Sequence, residues 1–225
     1  SYGVNVQYKI IEGNIPYSVS EYRRDFIYLN TNKFNTLIWG ETDCFLPKET
    51  YPVLEQIDEY AQNNKIHKYV VTFAIRKMWD PNWKVLEHVE FENAKYYEKT
   101  DPECFVTPSS IRYYMSIEEM NKINEKYKEL DVRVINKPQF DGSGVIFSSD
   151  LLKSGINIPL GSFGVAHEDS TMMEMCRKIM DKNYVQFIIK NILKVHNREH
   201  PKKRNYALNE NGNESSQSKK GDFYK

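Results

Sequence analysis

The chain has 225 residues, enough for one large domain or two small ones. Lysine plus arginine equals aspartate plus glutamate at 31 each, so the net charge is zero. A general nucleic-acid-binding protein normally has a basic excess, so this balance argues against that class.

Membrane and secreted classes are also disfavoured. No apolar stretch reaches the length needed to cross a bilayer, and the first residues, Ser1 to Val4, do not resemble a signal peptide. Cys44, Cys104 and Cys176 are widely spaced and odd in number. They predict free thiols in a reducing compartment, so we expect a cytoplasmic protein.

The front of the chain predicts two strands and a helix. Loose alternation predicts a strand over residues 4–11, and apolar side chains at helical spacing predict a helix over 20–29. Residues 36–39 predict a second strand. It ends just before Glu41-Thr42-Asp43.

The middle of the chain predicts a helix and a hairpin. Thr50 is predicted to cap a helix that has Pro52 in its first turn and ends at Asn63-Asn64. Residues 69–75 form a β-rich run, and residues 83–91 alternate after a turn. The two runs predict a β-hairpin.

The last third alternates between helices and strands. Ser116 and Glu119 predict a capping box, and short strands are predicted at 132–135 and 145–147. A helix is predicted over 170–180, and the composition becomes polar from 209 onward. We predict an α/β domain with a mixed sheet over 1–205 and a disordered tail over 206–225.

The acidic pair that follows the strand at 36–39 is the first candidate site. Side chains alternate along a strand, so Glu41 and Asp43 are expected to leave it on the same side. Carboxylate oxygens there are suitable ligands for a divalent cation, which can in turn bind phosphates. Ligands of α/β proteins also bind beyond the carboxyl ends of strands. The alternative is a solvated turn.

Two further clusters have both a functional and a structural interpretation. Glu168 and Asp169 precede a predicted helix, where Asp169 is either a cap or a general base at the mouth of a cleft. His196 and His200 flank a short polar run and are either loop residues or, through a neutral imidazole, ligands of a divalent cation.

Other chemistries lack their required residues. His88-Val89-Glu90 has the first half of a zinc-deaminase motif, but Cys104 and Cys176 do not form the Pro-Cys-x-x-Cys half. The glycines do not form a phosphate-binding loop or a dinucleotide-binding fingerprint.

Taken in order, these clusters resemble segments of GT-A glycosyltransferases, in particular the inverting family 2 type with a galactosyltransferase-like C-terminal half. The matching segments are Ile15-Pro16-Tyr17-Ser18 with Arg23-Arg24, Glu41-Thr42-Asp43 with Leu46-Pro47, Gly142 to Phe147 with Ser149 to Leu152, and Phe163-Gly164 with His167-Glu168-Asp169. His196 falls where the family often has a metal-binding histidine. The resemblance covers residues from about 10 to 205.

The resemblance implies a GT-A-like, Rossmann-like mixed sheet flanked by helices, with the hairpin as an insertion. It implies Mn²⁺ or Mg²⁺ held by Asp43, Glu41 and His196, and a nucleoside diphosphate sugar as donor. Arg23 or Arg24 would contact the diphosphate, and Glu41 and Asp43 would also line the donor site.

The implied reaction is the inverting transfer of a single sugar to a hydroxyl acceptor on a glycan, a protein or another molecule. Asp169 would be the base, and Glu168 would orient the acceptor. The polymerase signature Gln-x-x-Arg-Trp is absent, which favours single transfers.

The chain departs from the family pattern in two places. Glu41 stands where the family has aspartate, and only about forty residues precede Asp43, where family members have two or more βα units. We therefore expect truncated front units, with a partner chain as one possible source of the missing half. The alternative function is a GT-A-like module that has lost catalysis and serves in binding or assembly.

Overall fold

The structure is a computed structural model, and it describes residues 19–41, 44–76, 81–94, 115–159 and 168–196. The α-helices in these ranges are α1 (Val19–Asn30), α2 (Thr50–Asn63), α3 (Ile117–Asn124), α4 (Ser149–Lys153) and α5 (Glu168–Met180). The strands are β1 (Thr36–Trp39), β2 (Cys44–Phe45), β3 (Val70–Ala74), β4 (Val132–Ile135), β5 (Val145–Ser148), β6 (Gln186–Leu193) and β7 (Val195–His196). Short 3-10 helices span Pro81–Leu86, Val89–Phe91 and Asp181–Asn183.

Five strands form a mixed sheet in the order β1-β5-β3-β6-β4. β5 is antiparallel to both β1 and β3, β3 is parallel to β6, and β4 is antiparallel to β6. β1, β3 and β6 therefore run in one direction. β2 and β7 form a separate antiparallel pair in which Cys44 lies opposite His196.

Helices cover both faces of the sheet. One apolar cluster joins β1 and β5 to α1 and α5, with members that include Leu37, Phe147, Ile27, Met172 and Cys176. The other joins β3, β5 and β6 to α2, with members that include Phe73, Ile146, Phe187, Val53 and Ile57. Neighbouring strand residues such as Ile146 and Phe147 point to opposite faces, so each serves a different cluster. This mixed α/β architecture is compatible with a Rossmann-like fold.

Several predicted elements are confirmed with nearly the expected bounds. They include α1, β1, β3, β4, β5 and the end of α2. The capping box is also present: the Ser116 hydroxyl accepts the Glu119 N–H at 3.2 Å, and the Glu119 carboxylate accepts the Ser116 N–H at 2.9 Å. These elements depend on signals within a few residues of one another, which a sequence displays directly.

The predicted hairpin is wrong. Residues 83–91 form parts of two 3-10 helices, and a single parallel bridge joins Ile75 to Glu87. The cause is a buried amine from strand β6: Lys190 Nζ donates to the carbonyl oxygen of Val85 at 3.2 Å and to that of Glu87. These bonds hold the backbone carbonyls in the orientation of a helical turn. In a paired strand, the same carbonyls would point toward the neighbouring strand.

Two helix starts differ from their predictions. The residue at the N-cap of α2 is Glu49, and the Thr50 hydroxyl donates to the carbonyl of Pro47 at 2.6 Å. Thr50 is therefore the first helical residue and not the cap. α5 begins at Glu168, two residues before the predicted start at Ser170.

No predicted element covers strand β6, which lies between β3 and β4. All eight of its residues are buried, so it lacks the alternation of a half-buried strand. Gln186, Lys190 and Asn191 interrupt its apolar run, and each is buried with hydrogen-bond partners. The strand can be predicted from the sequence only when those hydrogen-bond partners are known.

The predicted strand at 4–11 and the predicted tail at 206–225 lie outside the described residues. Among the helices that the structure describes, none combines the length and apolar character required to cross a membrane.

His88 is fully buried, and its titration leads to a prediction of pH-dependent stability. His88 Nδ1 accepts the Glu90 N–H at 3.2 Å, and the ring packs edge-on against Tyr127 at 5.5 Å. Burial lowers the pKa of His88 below its ordinary value, so the unfolded chain binds a proton more readily. We expect its contribution to the free energy of unfolding to be complete above pH 6.5 and to be lost as the pH falls, by at most about 1.4 kcal/mol per pH unit.

Urea unfolding of His88→Asn between pH 5 and 8 measures this contribution. Asparagine retains an N-cap acceptor but does not titrate. The free energy of unfolding of His88→Asn should therefore change less steeply with pH than that of the wild type. His67→Asn is the matched control, because His67 is exposed. An equal slope in both variants would contradict the prediction.

Candidate functional site

The predicted site residues meet at one edge of the sheet. β1, β3 and β6 are parallel, so their carboxyl ends share an edge, and the antiparallel β5 begins there. Gly40 and Glu41 follow β1, Gly142 precedes β5, and Lys194 follows β6. This is the edge at which α/β sheets bind their ligands.

Arg23 of α1 contacts several segments at this edge. Its Nη1 donates to Glu168 Oε1 at 2.8 Å, and its Nη2 donates to the carbonyls of Gly142 at 2.9 Å and Gly40 at 3.3 Å. Nη2 also lies 3.6 Å from Glu41 Oε1. The guanidinium carbon stands 5.0 Å from the centre of the Trp39 ring, and the residue is only 3% exposed.

Gly142 shows how closely three side chains approach one another. A methyl group added there would lie 3.3 Å from Arg23 Nη1, 3.3 Å from Glu41 Oε1 and 3.7 Å from Asp169 Oδ2. These groups come from α1, the end of β1 and the start of α5. The two carboxylates and the guanidinium therefore converge above one Cα atom, and glycine leaves room for all three.

The two acids at the start of α5 lie in different settings. Glu168 is 4% exposed, and its Oε2 is a buried oxygen with no hydrogen-bond partner among the described residues. Burial raises the pKa of Glu168 above its ordinary value, and Arg23 opposes that rise. Burial and the nearby charge of Asp141 raise the pKa of Asp169, although its Oδ1 accepts the Ser170 N–H at 2.6 Å. Asp169 is thus a more basic carboxylate whose second oxygen faces Gly142.

Sequence reasoning missed a second buried cation at this edge. Lys194 is 3% exposed, and its amine bonds to the Asp141 carboxylate and the Ser143 carbonyl. The Ser143 hydroxyl donates to the other oxygen of Asp141 at 3.2 Å. The available signal was the presence of two lysines, Lys190 and Lys194, inside the largely apolar run 185–195, because a buried lysine requires a partner.

The predicted metal ligands are described only in part. Asp43 lies outside the described residues, and for His196 only the backbone pairing with Cys44, the residue after Asp43, is described. The Glu41 side chain is 30% exposed, so it is partly accessible to solvent. Burial raises the pKa of the Cys44 thiol to about 11, which disfavours a thiolate ligand.

The described residues exclude Asp43 and the His196 side chain. Among them, no group of three or more histidine, cysteine, aspartate or glutamate side chains is able to hold a metal ion. The donor chemistry nevertheless fits Mn²⁺ or Mg²⁺. Glu41 and Asp169 supply carboxylate oxygens to one space, and oxygens are the ligands that these hard cations prefer.

Arg24, the other predicted diphosphate contact, has a separate environment. Its Nε lies 3.8 Å from Asp25, and its carbonyl accepts a hydrogen bond from Asn157 at 3.2 Å. Successive helical residues point about 100° apart, so Arg23 and Arg24 face different directions. The structure brings Arg23, Glu41, Glu168 and Asp169 together and leaves Arg24 in contact with other residues.

The crowding at Gly142 leads to a stability prediction. We expect Gly142→Ala to displace Arg23 or Glu41 and to lower the free energy of unfolding by about 1 kcal/mol or more, because the buried guanidinium is held on several sides. Gly40→Ala is the matched control, since a methyl group there meets nothing within 4 Å. Urea unfolding of both variants checks this. Equal stability would mean that Gly142 is not required by packing.

Segments far apart in the chain thus assemble one acidic site with two buried cations. Glu168 follows Arg23 by 145 positions, and Gly142 follows it by 119. Comparisons of the chain with protein-family models, with curated proteins and with solved structures found no match.

Proposed function

We propose that the chain is a metal-dependent glycosyltransferase that moves a single sugar from a nucleoside diphosphate sugar to a hydroxyl acceptor with inversion. The observation that supports this most is the convergence of Arg23, Glu41 and Asp169 around Gly142. Each comes from a different segment of the resemblance to GT-A glycosyltransferases, and the segments meet at the ligand-binding edge of an α/β sheet.

The residues have separate roles in this proposal. Asp169 accepts the proton of the attacking hydroxyl through the oxygen that faces Gly142, and its raised pKa makes it a better proton acceptor. Glu168 would orient the acceptor through the segment that it shares with Asp169; one of its oxygens is held by Arg23, and the other is buried without a partner among the described residues.

Glu41, with Asp43 and His196, would hold the cation. A divalent cation bound there supplies charge neutralisation for the departing diphosphate. Arg24 remains a candidate contact for the diphosphate.

A second function is favoured by the state of Arg23. An arginine that clamps a diphosphate must present its guanidinium to the ligand, but this guanidinium is buried and bonded to protein groups. Together with Glu41 in place of aspartate, this favours a GT-A-like binding or assembly module without transfer activity.

Metal and donor binding distinguish the two functions. The protein is mixed with Mn²⁺ and a panel of nucleoside diphosphate sugars, and both the thermal shift and donor hydrolysis are measured. Ligand at a hundred times its Kd should stabilise the fold by about 2.7 kcal/mol, which raises Tm by several degrees. Hydrolysis of one donor supports the enzyme.

In Glu41→Gln, the thermal shift and donor hydrolysis should no longer depend on Mn²⁺. In Asp150→Asn both should still depend on it, because Asp150 is an exposed acid of α4. If no donor stabilises the protein and none is hydrolysed, the enzyme proposal is contradicted. The binding or assembly module then remains as the proposed function.

A further inference from the structure

The contacts of Arg23 connect the segments that carry the candidate site residues. Its two terminal nitrogens bond to Glu168, to the Gly142 carbonyl and to the Gly40 carbonyl. Gly40 precedes Glu41 and Glu168 precedes Asp169, so each bond lies next to a functional carboxylate or belongs to one. Gly142 lies beneath both carboxylates.

The same contacts leave little of Arg23 for a ligand. The residue is 3% exposed, Nη1 is 2.8 Å from Glu168, and the guanidinium carbon is 5.0 Å from the Trp39 ring centre. Arginine frequently recognises phosphate through two accessible N–H groups in a fork. Here the fork is directed at protein oxygens.

We propose that Arg23 is a positioning residue that holds Glu41 and Asp169 in one geometry above Gly142, and that it does not bind the diphosphate. The part of this inference that concerns substrate rests on the proposed function. The part that concerns geometry rests on the contacts alone, so the two can fail separately.

Only arginine can make this set of contacts. The planar guanidinium serves Glu168 with one nitrogen and two backbone carbonyls with the other, while its carbon lies over an aromatic ring. A lysine ammonium is a compact group on a flexible stem, and it cannot bridge these positions in a fixed plane. Arg23→Lys therefore keeps the charge and removes the geometry.

The test uses Arg23→Lys and Mn²⁺ alone, with no nucleotide present. A positioning role predicts altered backbone amide resonances at Gly40, Gly142 and Asp169 together, and at least a tenfold weaker Mn²⁺ affinity. Arg177→Lys is the matched control, because Arg177 is an exposed arginine of α5 paired with Glu174, and it should change neither readout. Unchanged resonances and Mn²⁺ affinity, with weaker binding of a nucleoside diphosphate only, would overturn the proposal in favour of a diphosphate clamp.

A second variant covers the case in which Arg23→Lys does not fold. Replacing both members of the buried pair, Arg23→Met with Glu168→Met, avoids an unpaired charge and should restore a folded protein. The three amide resonances should remain displaced and Mn²⁺ binding should remain weak. Recovery of wild-type resonances would overturn the positioning role. If the wild type itself binds no Mn²⁺, the proposed function fails, and the resonances alone decide the role of Arg23.

Discussion

Asp169→Asn is expected to leave donor binding nearly intact and to lower the rate of sugar transfer by about 10²- to 10⁴-fold or more. Asparagine has the same shape but cannot take the proton of the attacking hydroxyl. Its amide oxygen can still accept the Ser170 N–H, which Asp169 Oδ1 accepts at 2.6 Å, so the start of α5 should be preserved. The measurement is transfer to acceptor together with donor affinity.

This variant separates the base from the structural interpretation of Asp169. If Asp169 is only a helix cap with no role in the chemistry, Asp169→Asn should be slightly less stable than the wild type and should transfer sugar at the normal rate. Loss of donor binding would instead make Asp169 a ligand. Asp150→Asn serves as the control, since it removes an exposed carboxylate from the first turn of α4 and should change neither rate nor affinity.

Lys194→Met is expected to lower the free energy of unfolding by about 3–5 kcal/mol, because it leaves the Asp141 charge without its cation. Methionine fills the volume of the lysine stem. The Asp141 carboxylate, which is 15% exposed, would keep the Ser143 hydroxyl at 3.2 Å as a hydrogen-bond donor. One neutral donor does not replace a buried ammonium. Urea unfolding measures the loss.

The chain contains a matched control for this variant. Lys190 is also a buried lysine of the β6 region, but it binds carbonyls of the 3-10 segment and Glu92, which is 28% exposed. Lys190→Met should cost about 1–3 kcal/mol, since Glu92 can be hydrated while the carbonyls lose a donor. Of the two lysine variants, only Lys194→Met should also weaken Mn²⁺ binding, because Lys194, unlike Lys190, bonds to the turn that carries Gly142.

A double variant tests the cause of the Lys194 effect. Asp141→Asn in the Lys194→Met background removes the unpaired charge and should recover part of the stability. A further loss in the double variant would show that Asp141 stabilises the fold without Lys194. A Lys194→Met protein as stable as the wild type would contradict the importance of the pair.

Local sequence signals predicted much of the fold. The capping box at Ser116, the strand at Thr36–Trp39 and the helical spacing in α1 all depend on residues close together in the chain. The hairpin at 83–91 failed because its backbone carbonyls bind Lys190, about a hundred residues away. The alternation was real, but a distant amine determined the backbone conformation.

The candidate site divides in the same way. Sequence order identified Arg23, Glu41, Glu168 and Asp169 as functional candidates, and the structure brings them to one edge. Sequence reasoning assigned Arg23 to a ligand, whereas the structure bonds its guanidinium to protein oxygens, and it passed over Lys194. Both points concern buried cations, whose partners are set by packing and not by neighbours in the chain.

The sequence by itself determined which residue types were available for chemistry and most of the helices and strands that present them. Only the tertiary structure decided how the charges are paired. Arg23 and Glu168 are 145 positions apart, and Lys194 and Asp141 are 53 apart. The physical reason is that burial makes an unpaired charge costly, so the fold joins each buried cation to a carboxylate that no local pattern predicts.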